Sequence, residues 1–203
     1  MTTAAPDGRR ERKKLATRAA LRQAALRLAL RDGVENVTAE RIADEADIAR
    51  RTFFNYFSSK EEAVLATAAL GAEAVVARFR ARPAAESVLT ALREAVLEVM
   101  DRDDVAGHEH VAVLRLIRRA PSLLPQQLSV LAAQERALAA AITERLDGPD
   151  DAYVRLCATT AFAALRVVLD RWLERADDAA PPIDVLRAEV TDAFTTLAGG
   201  LDR

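Results

Sequence analysis

The segment TAERIADEADIARRTFFNYF, Thr38 to Phe57, carries two helical patterns with almost nothing between them. Thr38 is a favourable N-cap, Glu40 falls in the first turn after it, and Ile42, Ala43 and Ala46 make a narrow apolar face, so the first pattern is a helix of barely two turns. Asp47 tolerates turn geometry and Ile48 can enter a core. A second short helix is predicted from Ala49 to about Tyr56. Helices this short do not stand alone, because nucleation is costly, so both must pack on longer neighbours.

Phe53 and Phe57 are four apart and share one face, which with Ile42, Ala46 and Ile48 supplies that packing. Arg51, Thr52, Asn55 and Tyr56 remain on the other face, with Arg50 at its leading edge. Arginine and asparagine match guanine and adenine edges, and the hydroxyls of threonine and tyrosine suit phosphate oxygens. The pattern is a helix-turn-helix whose second helix faces DNA.

The charge distribution agrees. Residues 1–60 hold 13 Lys or Arg against 8 Asp or Glu, and the remaining 143 residues hold 16 against 23. A net positive first third on a net negative remainder describes a polyanion-binding module joined to a part with another task. Upstream, a helix is predicted from Arg9 to about Arg31, with Leu21, Ala24, Ala25 and Leu28 on one face and Gly33 as its stop. Its first turns carry Arg9, Arg10, Arg12, Lys13 and Lys14, which oppose the helix dipole. They serve either as phosphate contacts, Arg10, Lys13 and Lys14 above all, or as a solvated face. Residues 1–8 lack periodicity and read as a disordered tail.

Elsewhere alanine, leucine, arginine and glutamate dominate and β-branched runs are nearly absent, so the expected fold is all-α, about nine helices in total. Glycines and prolines punctuate the chain at helix ends. A long helix follows Ser59, with Gly71 as a flexing point or a close-packing site; further helices are placed at 84–101, 105–119, 123–146, 151–175 and 183–199. The divisions expected are a tail at 1–8, a DNA-binding domain at 9–58, and a larger domain at 59–203. The longest run without a charge, Ala120 to Gln134, spans fifteen residues and includes two prolines. No bilayer-spanning helix and no secretory signal are therefore expected, and the protein is read as cytoplasmic with no membrane partner.

Catalytic and metal chemistry find little support. His108 and His110 flank Glu109 in a loop-like stretch with no cysteine nearby, so they read as solvated and no metal site is expected. Cys157, the single cysteine, reads as a small core residue. With no phosphate loop and no nucleophile beside a base, the chain is read as no enzyme and as needing no cofactor.

Residues 10–65 resemble the TetR family of bacterial transcriptional regulators in the basic first helix, Gly33, TAERIADEADI and TFFNYFSSKEE. The resemblance implies an all-α homodimer: a three-helix DNA-binding domain and a larger helical domain that binds a small effector and dimerises through its last two helices. It implies a repressor released from double-stranded operator DNA by that effector. By position it makes Thr38 and Lys60 phosphate contacts and Arg50 to Tyr56 the recognition segment. Four positions depart from the usual pattern: Asp47 for glycine, Ala49 for a capping serine, Arg51 for glycine, and Phe54 for tyrosine. Phe54, lacking a hydroxyl, either touches DNA or packs on the fourth helix.

For the dimer interface the apolar surfaces of the last two helices point to Phe162, Leu165, Leu169, Val190, Phe194 and Leu197. The effector pocket would be rich in Leu, Val and Ala, which suits an aliphatic or acyl-bearing ligand. In VLRLIRRAPSLLP, Arg115 shares a helix face with Arg118 or Arg119. These three either hold an anionic head group or pair with acidic residues of their own domain. This segment resembles regulators of the mycofactocin-associated branch.

Overall fold

The structure, a computed structural model, describes residues 6–101, 108–175 and 182–200. Among the described residues it contains nine α-helices and no strand: α1 (Pro6–Asp32), α2 (Ala39–Glu45), α3 (Arg50–Phe53), α4 (Lys60–Ala81), α5 (Val88–Met100), α6 (His108–Arg119), α7 (Leu124–Arg145), α8 (Asp151–Glu174) and α9 (Ile183–Gly199). Two 3-10 turns, Val34–Asn36 and Pro121–Leu123, complete it. α1 starts at Pro6, so the tail expected over 1–8 is helix from residue 6, and Met1–Ala5 lie outside the described residues. Proline at the first helical position, followed by Asp7, is the local reason.

The chain forms two compact units, Met1–Thr67 with Ala112–Gln127, and Ala68–Val111 with Leu128–Arg203. A single break after residue 58 does not describe this division. Leu116, Ile117, Ala120 and Leu123 pack against the core of the first unit, which draws the end of α6 and the turn after it into that unit.

In the first unit Leu21, Ala24, Ala25 and Leu28 of α1 are buried with Val34, Val37, Ile42, Ala43, Phe53, Phe57 and Val64. α2 packs on both α1 and α3. Gly33 ends α1 at φ 81, its N–H reaching the Ala29 carbonyl at 3.1 Å. Asp47 makes the turn between α2 and α3 at φ 52, a conformation that short polar side chains tolerate. Ser59 caps α4 by accepting from the Glu62 N–H at 3.1 Å, and the Glu62 carboxylate reaches back to the Ser58 N–H at 2.7 Å.

In the second unit α9 packs on α5 and α8, burying Leu186, Val190 and Phe194. Arg145, in the last turn of α7, closes the α4–α5 connection: its guanidinium donates to the carbonyls of Arg82 (3.2 Å), Glu86 (2.8 Å) and Pro83 and lies over the Phe79 ring at 5.4 Å. Arg82 bridges Glu86 and Glu98, and holds the Glu86 carboxyl below its ordinary range. Cys157 is half-buried rather than enclosed. His108 and His110 stand in the first turn of α6, not in a loop; their side chains lie outside the described residues.

The expectation that no helix is long and apolar enough to span a bilayer meets one exception. α8 is, by length and composition alone, apolar enough to cross a membrane, and 22% of its most apolar window is buried within the structure. Counting uninterrupted runs missed it because Arg155 and Arg166 divide the stretch without much lowering its mean hydropathy. Tyr153, Leu156 and Val167 on this helix are exposed. With Thr160, Ala163, Ala164 and Arg171 they recur at spacings of three and four and form a single stripe.

Candidate nucleic-acid interface

The recognition segment is anchored from behind. Phe53 and Phe57 are 0% and 1% exposed, their ring centroids 5.9 Å apart. The Arg18 guanidinium of α1 sits over the Phe57 ring at 5.5 Å. Helical geometry lasts only from Arg50 to Phe53, shorter than the predicted span to Tyr56. Ala49 has no side chain to cap the helix, and after Phe53 the chain continues as turns held by Asn55 N–H to Thr52 O (3.1 Å) and Tyr56 N–H to Phe53 O (2.9 Å). Arg51, Phe54 and Asn55 are exposed, and Thr52 and Tyr56 are half-exposed. Arg51 and Asn55 are thus presented outward from two buried rings, whereas Tyr56, expected on the same outward face, packs against the core of the unit.

The two adjacent arginines have different surroundings. Arg50 is paired with Glu40 of α2 at 2.6 Å. The Glu40 carboxyl lies below its ordinary value, chiefly through a hydrogen bond from its own backbone N–H, with further contributions from the Thr38 hydroxyl and Arg50. Arg51 is exposed. Thr38 caps α2 by accepting from the Arg41 N–H at 3.2 Å and is exposed.

Lys60, expected as a phosphate contact, donates from Nζ to the Val34 carbonyl at 3.0 Å and reaches the Glu35 carbonyl at 3.5 Å, which ties the start of α4 to the turn after α1. The Val34 carbonyl also accepts the Val37 N–H of the 3-10 turn at 3.2 Å, so the ammonium takes up its second lone pair at a half-buried position. Arg10, Lys13 and Lys14 are exposed; Lys14 approaches Glu11 only at 4.0 Å with both side chains 63% exposed, a weak pair. In register, Arg10, Lys13, Lys14 and Thr17 continue the stripe of Leu21, Ala24 and Leu28 past the end of the core. The face of α1 that is apolar where it touches the unit becomes polar and then basic where it does not.

Two polar ties in this unit had no sequence signal. Arg22 Nη1 donates to Thr67 Oγ1 at 2.9 Å, fixing α1 to α4. Asp32 pairs with both Arg31 and Arg41, and Arg41 also donates to the Asn36 carbonyl at 2.5 Å, which joins the end of α1 to α2.

The other expected sites are rearranged. Arg115, Arg118 and Arg119 lie in the unit that holds the recognition segment. Arg115 is half-buried, with an Nη2 atom enclosed and without a hydrogen-bond partner, whereas Arg118 and Arg119 are exposed. Val190 and Phe194 are each 2% exposed inside their own unit and cannot line a surface. Phe162, Leu165 and Leu169 are half-buried, on the side of α8 that also carries Ala158, Ala161 and Trp172. Leu197 alone among the expected interface residues borders the cleft of about 520 Å³ between α8 and α9, with Ala163, Ala164 and Val167.

Residues 21–67 match the model for bacterial regulatory proteins of the tetR family, and residues 86–202 match the MftR C-terminal domain. The HTH-type transcriptional regulator TcmR of Streptomyces glaucescens is 38% identical over 178 residues, which is 84% of this chain and 79% of that protein. Among solved structures, the fatty acid degradation regulator FadR of Bacillus halodurans has a TM-score of 0.59 at 19% identity over 100% of both chains. A TetR-family regulator from Mesorhizobium loti has a TM-score of 0.58 at 17% identity, over 89% of this chain and 94% of that one. These relatives are regulators and not enzymes. The helix-turn-helix residues, the fold and the matches over both parts of the sequence agree: this chain belongs to the TetR family of bacterial DNA-binding transcriptional regulators.

Proposed function

We propose that this regulator is a repressor that acts in the cytoplasm as a homodimer on near-palindromic operator DNA and leaves it when a small effector binds. The observation that carries the DNA-reading part is the exposed pair Arg51 and Asn55, with the half-exposed Thr52, mounted on the buried Phe53 and Phe57. Arg51 and Asn55 read base edges, and Thr38, Thr52, Tyr56 and the basic start of α1 hold phosphates. Two such segments are needed to meet successive major-groove faces, and the exposed apolar stripe of α8 supplies the surface that would join two copies.

For the effector, Leu, Val and Ala dominate the buried residues of the second unit, which favours an aliphatic or acyl-bearing molecule. Within the first unit, Arg115, with its unpartnered Nη2, is the candidate for holding an anionic group. Leu116 and Ile117, next to Arg115, pack on the core that positions α3, so a ligand that moved Arg115 would disturb the DNA-reading surface directly.

Selection of bound sequences from random duplex DNA tests the reading. A palindromic site whose affinity falls steeply with salt is the expected result; no enrichment would overturn it. Native mass spectrometry of the purified protein would show a retained acyl species if the effector assignment is right.

A further inference from the structure

The recognition surface contains one residue that neither charge nor hydrogen bonding explains. Phe54 is 52% exposed although it lies next to the buried Phe53. It does not pack away into its unit; its ring stands edge-on against Phe53, centroids 5.2 Å apart and planes at 87°. The backbone on either side is fixed by the turns from Thr52 to Phe57, with Phe57 N–H also bonded to Phe53 O at 3.0 Å. A half-exposed phenyl ring held this firmly has little entropy to lose on contact and apolar surface to gain from it.

The direction of the ring limits what it meets. Phe54 follows Arg51 by three residues, so the two side chains leave the same face of a helical turn, and Phe54 immediately precedes Asn55. Both neighbours are exposed and suited to base edges. Phosphate oxygens offer a ring without a hydroxyl nothing to bond. In the major groove the one apolar group on a base edge is the C5-methyl of thymine.

Resting on the reading of this surface as the DNA interface, we propose that Phe54 is a specificity-determining residue that selects thymine through its C5-methyl group, beside the base pair read by Arg51. Arg51 and Asn55 recognise hydrogen-bonding groups, and Phe54 recognises the single feature that hydrogen bonding cannot report.

Uracil tests this, because it keeps every hydrogen-bonding group of thymine and lacks the methyl. Each thymine in one half of the selected operator is replaced in turn by uracil, and binding is measured for the wild type, Phe54→Ala and Phe54→Leu. The wild type should lose about fourfold at one position, the worth of one buried methyl. Phe54→Ala should be indifferent there, and Phe54→Leu should retain part of the preference. If Phe54→Ala binds no duplex, the comparison of wild type with Phe54→Leu decides. Uniform tolerance of uracil by the wild type, or the same loss in the Phe54 variants, overturns the proposal. Either result leaves an enriched operator intact, so it is distinct from failure of the regulator reading, which would show as no enriched sequence at all.

Discussion

The ammonium of Lys60 donates to the carbonyl oxygen of Val34 at 3.0 Å, so the first residue of α4 closes the turn that ends α1. Lys60→Met keeps the aliphatic stem and removes the donors. It should destabilise the first unit by about 1–2 kcal/mol, measured by urea unfolding. A variant with unchanged stability and weakened DNA binding would mean that the ammonium swings out to phosphate instead.

Arg51→Ala should relax preference at a defined base pair, costing about 1–3 kcal/mol there and little elsewhere. Arg50, held by Glu40 at 2.6 Å, should behave otherwise. Glu40→Gln releases it, and the variant should bind all duplexes more tightly, with a salt dependence steeper by about one phosphate contact. Fluorescence anisotropy across a salt series on operator and random DNA separates the two behaviours.

Much of this surface is legible in the sequence. The spacing of Leu21, Ala24 and Leu28, the Phe53–Phe57 pair and the Thr38 cap follow from helical period and cap chemistry. What failed depended on which side of a helix its own chain covers. α8 is apolar on two sides, and only packing reveals that Ala158 and Trp172 face inward and Leu156 and Val167 outward. Lys60 could turn to phosphate or to carbonyl with equal local propensity. The attachment of Ala112–Gln127 to the first unit rests on Leu116 and Leu123 meeting residues far away in sequence, which periodicity does not encode.

Leu156→Asp together with Val167→Asp should convert a dimer to a monomer of normal helicity, read by light scattering and circular dichroism. Val190→Asp, by contrast, places a charge inside the unit and should unfold it. A dimer that survives both exposed aspartates would place the interface elsewhere.

The Asp32 carboxyl is depressed below its ordinary value near 3.8, chiefly by the hydrogen bond from Arg31 and then by Arg41. Its contribution is therefore complete above that value and is lost as pH falls through the lower value of the folded protein. Asp32→Asn should reduce stability at neutral pH and flatten the acid limb of the profile below about pH 4. Thermal melting from pH 7 to pH 2 checks both.

Arg145→Ala removes three carbonyl contacts and the stacking on Phe79 at once. A loss of about 2 kcal/mol in the second unit is expected. Hydrogen exchange at residues 82–87 should rise, while the first unit stays protected.

Phe53 and Phe57 hold the recognition segment from inside, whereas the side chains at 51 and 55 are exposed. Those two positions are consequently free to vary while the protein keeps folding. On the proposed reading of Arg51 and Asn55, a lineage carrying this scaffold can exchange its operator base by base, through intermediates that remain well-formed proteins.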